Sequence, residues 1–134
     1  MTIRVQGLDY VVLVVEDLDR SLAFYRDHLG LSLRHRAGNF AQLETGRTRF
    51  GLFTRAAMAE ALHQELEPPT VGQAAFELGF KVEDVDAAWN ELTAAGVPGV
   101  TPPETRPWGQ RTAYVRDPDG NLVELATQLR RPGT

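Results

Sequence analysis

Tyr10-Val11-Val12-Leu13-Val14-Val15-Glu16-Asp17-Leu18-Asp19 recurs, 67 positions downstream, as Glu77-Leu78-Gly79-Phe80-Lys81-Val82-Glu83-Asp84-Val85-Asp86. Each copy is an apolar strand that runs into an acidic helix start. Two such copies mark a duplicated supersecondary unit. Positions in one half can then be compared with positions in the other. A second echo sets Gly38-Asn39-Phe40-Ala41-Gln42-Leu43-Glu44-Thr45 against Gly120-Asn121-Leu122-Val123-Glu124-Leu125-Ala126-Thr127, 82 positions later. It extends the expected repeat to a later strand, pairing Gln42 with Glu124.

Outward from these stretches the punctuation is regular. Val and Leu dominate residues 8 to 15, the pattern of a strand buried on both faces. Asp17 or Asp19 can cap the helix that follows, where Leu18, Leu22, Tyr25 and Leu29 form one apolar stripe ended by Gly30. Strands are expected over 31–36, 39–45 and 49–54, which makes the first unit β-α-β-β-β. Met58, Leu62 and Leu66 keep helical spacing in a linker helix that Pro68-Pro69 should stop. The second unit repeats the order, with a strand at 74–82 and a helix at about 84–95. Its inner face would hold Val85, Ala88, Trp89 and Leu92. Pro98, Pro102, Pro103 and Pro107 predict an irregular segment over most of 97–109 that delivers Trp108. Strands at 111–116 and 121–127 are joined by a tight turn, Asp117-Pro118-Asp119-Gly120-Asn121. The expected layout is one domain over 1–134, with module one at about 7–54, a linker at about 55–72 and module two at about 73–128.

At 134 residues the chain can bury roughly two-thirds of its unfolded surface, so it needs neither disulfide nor metal for stability. Its 43% hydrophobic and 24% charged residues suit a soluble protein, and no apolar run reaches the ~20 residues of a membrane span. With no cysteine and no secretory leader, the expected location is the cytoplasm. A net charge of −4 without a basic face argues against a nucleic-acid partner. Anionic small molecules stay open, because a local pocket need not follow the global sign.

The stretch from Val14 to Leu31, with Glu16-Asp17-Leu18-Asp19-Arg20-Ser21 and Phe24-Tyr25-Arg26-Asp27-His28-Leu29-Gly30, resembles the opening module of the glyoxalase/bleomycin-resistance/dioxygenase (vicinal oxygen chelate) superfamily. Pro107-Trp108-Gly109-Gln110-Arg111 and Arg116-Asp117-Pro118-Asp119-Gly120-Asn121-Leu122-Val123-Glu124-Leu125 resemble its closing strands. The resemblance implies an α+β fold of two tandem βαβββ modules, their mixed sheets curled into a cup with helices on the outer face, and usually a homodimer. It does not select a chemistry, since the superfamily spans lyases, isomerases, dioxygenases, transferases and drug-sequestering proteins.

Metal-dependent relatives hold a divalent ion on the first strand and a later strand of each module. Mapped through the two echoes, those positions are Tyr10, Gln42, Glu77 and Glu124. Strand alternation would turn Val11, Leu13 and Val15 toward the helix and Tyr10, Val12 and Val14 toward the cup. The family usually has His on the first strands, whereas a Tyr phenol must lose a proton of pKa near ~10 to ligate well. No metal is therefore favoured; if one is held, Gln42, Glu77 and Glu124 would give Mg²⁺ or Mn²⁺ an all-oxygen set. His28, His35 and His63 fall outside these positions and read as surface or helix-end residues.

Glu77 and Glu124 in an apolar cup need partners. Lys81 or Arg111 would make an internal ion pair. A cationic ligand, or one glutamate acting as a base with Tyr10 as acid, is the alternative. Phe40, Trp108 and Tyr10 add aromatic surface. The expected function is metal-independent binding of an aromatic or cationic compound by Tyr10, Phe40, Gln42, Glu77, Trp108 and Glu124. The alternative is a glyoxalase-like metal-dependent lyase, isomerase or dioxygenase; whether the chain is an enzyme stays open.

Overall fold

A computed structural model describes residues 3–70 and 74–129, in two compact units that meet in sequence at Pro68 and Pro69. The first unit runs β1 (Tyr10–Val15), α1 (Leu18–Leu22), a π-helical continuation (Ala23–His28), β2 (Leu33–Ala37), β3 (Phe40–Leu43), β4 (Arg49–Thr54) and α2 (Arg55–Leu62). The second runs β5 (Glu77–Lys81), α3 (Val85–Ala94), β6 (Gly99–Thr105), β7 (Gln110–Arg116) and β8 (Leu122–Gln128). The sheets have the same order, β1-β4-β3-β2 and β5-β8-β7-β6. In each, the first strand lies parallel to the last and the other pairs are antiparallel. The fold is α+β, built from two βαβββ modules.

The helix starts form where the repeat puts them. Asp17 accepts from the Arg20 amide at 3.0 Å and Asp84 from the Ala87 amide at 3.1 Å, so each first turn has one orphan donor satisfied by a carboxylate. Leu18, Leu22, Phe24 and Tyr25 bury against Leu13, Val15, Ala41, Leu43, Phe50 and Leu52. Each fully buried side chain of this kind contributes about 1.5–3 kcal/mol of transfer free energy. The second core joins Val85 and Leu92 to Ala113, Val115, Val123 and Leu125. Gly30 (φ 79°) and Gly96 (φ 89°) take the left-handed conformation that ends each helix.

Three expectations are corrected. β1 is not buried on both faces: it is an edge strand on which Leu13 and Val15 are buried, Val12 and Val14 half-buried and Tyr10 39% exposed. The linker helix ends at Leu62, with His63 as a left-handed cap (φ 56°), five residues before Pro68. Finally, the proline-rich 97–109 segment contains β6. Its register slips between Gly99 and Thr101 and again between Thr101 and Glu104, and β6 lies at the sheet edge. An edge strand with bulges tolerates prolines because their missing amides face no partner strand.

Candidate functional site

Each sheet has a second face, turned away from its helix. In the second unit β5 contributes Glu77, Gly79 and Lys81 to this face, β8 contributes Leu122, Glu124 and Ala126, and β7 contributes Thr112, Tyr114 and Arg116. Glu124 stands between Gly79 and Tyr114 in the register. The Tyr114 hydroxyl donates to Glu124 Oε2 at 2.8 Å. On the other side, Glu124 Oε1 lies 3.2 Å from where a Cβ on Gly79 would stand, so the bare glycine makes room for the carboxylate.

This arrangement perturbs the groups in it. Glu77 is exposed on its strand, and the slight desolvation it does undergo, followed by the charge of Glu124, raises its carboxyl above the ordinary glutamate value. Burial first, then the hydrogen bond to Glu124 and the negative charges of Glu124 and Glu77, push the Tyr114 phenol up to about 12. Tyr114 therefore stays a neutral donor. Arg106 opposes that shift, but its own bonds go to Thr112 (2.9 Å) and Glu104 (3.0 Å).

The expected internal ion pair does not form through Arg111. That residue pairs with Thr127 in the register, on the helix-side face, and grips Asp86 with two bonds of 2.7 and 2.9 Å. Lys81 shares the face of Glu77. Among the described residues of this unit, no cation pairs with Glu77 or Glu124. Trp108 stands on the β6–β7 turn, 59% exposed, and its indole N–H donates to Gln110 rather than to either carboxylate.

In the first unit the corresponding face carries Tyr10, Val12 and Val14 on β1, Arg49, Gly51 and Phe53 on β4, Phe40 and Gln42 on β3, and His35 on β2. The alternation expected for β1 holds. Arg49 stacks over the Tyr10 ring at 5.2 Å and donates to its hydroxyl at 3.2 Å. The Phe40 ring lies over Gly51, 2.8 Å from where a Cβ would be, and meets Phe53 edge-on at 6.1 Å. His35 pairs with Gln42 in the register and is exposed.

Sheet order corrects the second echo. Glu124 lies on β8, which runs parallel to the first strand of its module; Gln42 lies on β3, which does not. The strict counterpart of Glu124 is Gly51, since Gly51 pairs with the third residue of β1 as Glu124 pairs with the third residue of β5. Gln42, opposite Gly51, corresponds instead to Tyr114, opposite Glu124. Tyr114 was therefore the residue that sequence reasoning missed: the second module is longer between its helix and its last strands, so the 67-residue offset of the first strands no longer holds there and only the strand pairing identifies it. The similarity of the two Gly-Asn segments has a local cause. Each leads out of a turn with a positive-φ glycine, Gly38 (57°) or Gly120 (87°), into a strand.

The corrected equivalence also tests the metal that the superfamily implies. The equivalent positions in the two modules are Tyr10 and Gly51 in the first and Glu77 and Glu124 in the second. Gly51 has no donor and its side-chain space holds the Phe40 ring, while Tyr10 is occupied by a guanidinium whose charge opposes a metal ion. Within either unit, among the described residues, no three His, Asp or Glu side chains converge to hold a metal. The donor set does not fit a symmetric metal centre.

The glyoxalase/bleomycin resistance protein/dioxygenase superfamily model matches residues 7–125. Uncharacterized protein YraH of Bacillus subtilis is 37% identical over 121 residues, covering 87% of this chain and 94% of that protein. A bleomycin resistance protein of Geobacillus stearothermophilus is 28% identical, over 88% of this chain and 94% of its own. A lactoylglutathione lyase structure from Agrobacterium tumefaciens is also 28% identical, with a TM-score of 0.68 over 91% of this chain and 93% of that one. Equal identity to a resistance protein and to a lyase does not choose between binding and catalysis. Among the described residues no helix is long and apolar enough to cross a membrane. From its strand order, its duplicated modules and the span of the match, the chain belongs to the glyoxalase/bleomycin resistance protein/dioxygenase superfamily.

Proposed function

We propose that this protein binds a small aromatic compound bearing a cationic or hydrogen-bond-donating group, without metal and without altering it, as a cytoplasmic homodimer. The observation that carries the reading is the Phe40 ring over Gly51, an aromatic surface where a ligating acid would otherwise project. Phe53 and the Arg49-stacked Tyr10 extend that surface. On the other sheet, Glu77 and Glu124 offer carboxylate oxygens that no cation of their unit neutralises, and such oxygens favour a positively charged or donor-rich ligand. Trp108, exposed on its turn, is available to stack.

Bleomycin is the first probe, because it names the function of one relative. Titration monitored by tryptophan fluorescence should saturate at stoichiometric drug, with the same affinity in the presence of a chelator. Phe40→Ala and Glu124→Gln should each weaken binding about tenfold, equivalent to ~1.4 kcal/mol. If neither bleomycin nor a panel of cationic aromatic drugs binds, sequestration is refuted; size-exclusion with light scattering checks the dimer.

The second reading is a metal-dependent lyase, isomerase or dioxygenase. It is favoured by the Tyr114 hydroxyl bonded to Glu124 and by Glu77, whose carboxyl is raised by slight desolvation and then by the charge of Glu124. Glu77 and Glu124, both on the second sheet, would supply oxygen donors of the kind that Mg²⁺ or Mn²⁺ takes. Chelator-sensitive turnover of a carbonyl substrate, lost in Glu124→Ala, would support it over sequestration.

A further inference from the structure

The β3–β4 hairpin carries a polar cavity of about 360 Å³ whose lining includes Arg34, Gln42, Glu44, Arg47, Thr48 and Arg49. Three guanidiniums face one carboxylate there, an excess of two positive charges in a chain whose net charge is −4. Arg34 is committed to Glu44 at 2.8 Å. Arg49 donates to the Tyr10 hydroxyl and pairs loosely with Asp9 at 3.8 Å, contacts that use only part of its donor fork. Arg47 makes no ion pair or hydrogen bond with the described residues of its unit. Two arginines are thus left with donor capacity at the rim of one cavity.

We propose that this cavity is an anion-binding subsite that takes the phosphoryl or carboxylate group of a small molecule, with Arg47 and Arg49 as the binding residues. A guanidinium presents a planar fork of donors that matches the oxygens of either group, and charge-assisted bonds of this kind are about twice as strong as neutral ones. The Gln42 carboxamide and the Thr48 hydroxyl supply neutral donors on the same lining. Gln42 also belongs to the face that carries Phe40, so the subsite adjoins the aromatic surface. The site stands on β2 and the β3–β4 hairpin and does not depend on the sequestration reading. The volume suits one anionic group and a short substituent rather than a polyanion.

The test is a titration of the isotope-labelled full chain with inorganic phosphate and, separately, with acetate, at ionic strength held constant by sodium chloride. The expected result is a saturable shift of the backbone amides between Glu44 and Arg49. The anion that saturates identifies the phosphoryl or the carboxylate class. Arg47→Gln should weaken binding about tenfold, Arg47→Gln with Arg49→Gln should abolish it, and Arg26→Gln on the helix should leave it unchanged. Arg47 is exposed, so its replacement leaves the fold intact. Shifts that do not saturate with either anion, or that persist in the double variant, overturn the proposal.

Discussion

Replacing Asp117 by Ala should destabilise the second unit by about 2–4 kcal/mol, because one buried carboxylate organises the whole β7–β8 turn. Asp117 is 3% exposed. Its Oδ1 accepts from the Asp119 amide at 3.0 Å and the Asn121 amide at 2.8 Å, and its Oδ2 accepts from the Asn121 side chain at 2.9 Å. A hydrogen bond to a charged group is worth about 1.5–3 kcal/mol. Three bonds to one carboxylate do not add fully, and water recovers part of the loss at a partly buried turn, so the total lies near that of one or two such bonds. For a chain of this size the midpoint temperature should fall by roughly 10 °C. Asp117→Asn keeps an acceptor for both backbone amides and should lose only about half as much. Urea denaturation followed by circular dichroism measures both variants. An Ala variant within ~0.5 kcal/mol of the parent would refute the reasoning, as would an Asn variant no better than Ala. Function is coupled to the outcome, since this turn sets the register that places Tyr114 opposite Glu124.

Two further perturbations probe the same sheet. Glu124→Gln removes the charge that helps hold the Tyr114 phenol near 12, while burial remains, so spectrophotometric titration should find that phenol closer to its ordinary value of 10. Because the folded pKa is the raised one, the stability linked to Tyr114 is fully present below pH 10 and is lost as pH rises toward 12, and the variant should narrow that window. An unchanged titration would show that Glu124 does not act on Tyr114. Gly99→Ala would set a Cβ 2.3 Å from the Trp89 ring, a collision that should lower stability by about 1–3 kcal/mol and alter tryptophan fluorescence; a neutral result would mean that the ring yields freely.

What could be read from the chain by itself was local. Asp17 and Asp84 cap helices through contacts three residues away, Gly30 and Gly96 end them, and Asp117 to Asn121 close a turn through their own side chains. Interactions of such short range are written in adjacent residues, which is why the 67-residue repeat disclosed two βαβββ modules. The alternation of β1 and β5 likewise follows from strand geometry, and it placed Tyr10 and Glu77 on the faces turned away from the helices.

Tertiary structure decided everything that depended on strand order. The parallel pairings of β1 with β4 and of β5 with β8 join segments far apart in the chain, and no local pattern states them. They set Gly51 rather than Gln42 against Glu124 in the repeat, and brought Tyr114 to the Glu124 carboxylate. They also made β6 an edge strand that its prolines could occupy. Arg111 shows how sharp the dependence is: one register step puts it on the helix side with Asp86 and leaves the glutamates without it. Neighbouring residues suffice to specify turns, caps and faces. Which faces meet is settled only when distant strands pair, and the chemistry of the candidate site depends on that pairing.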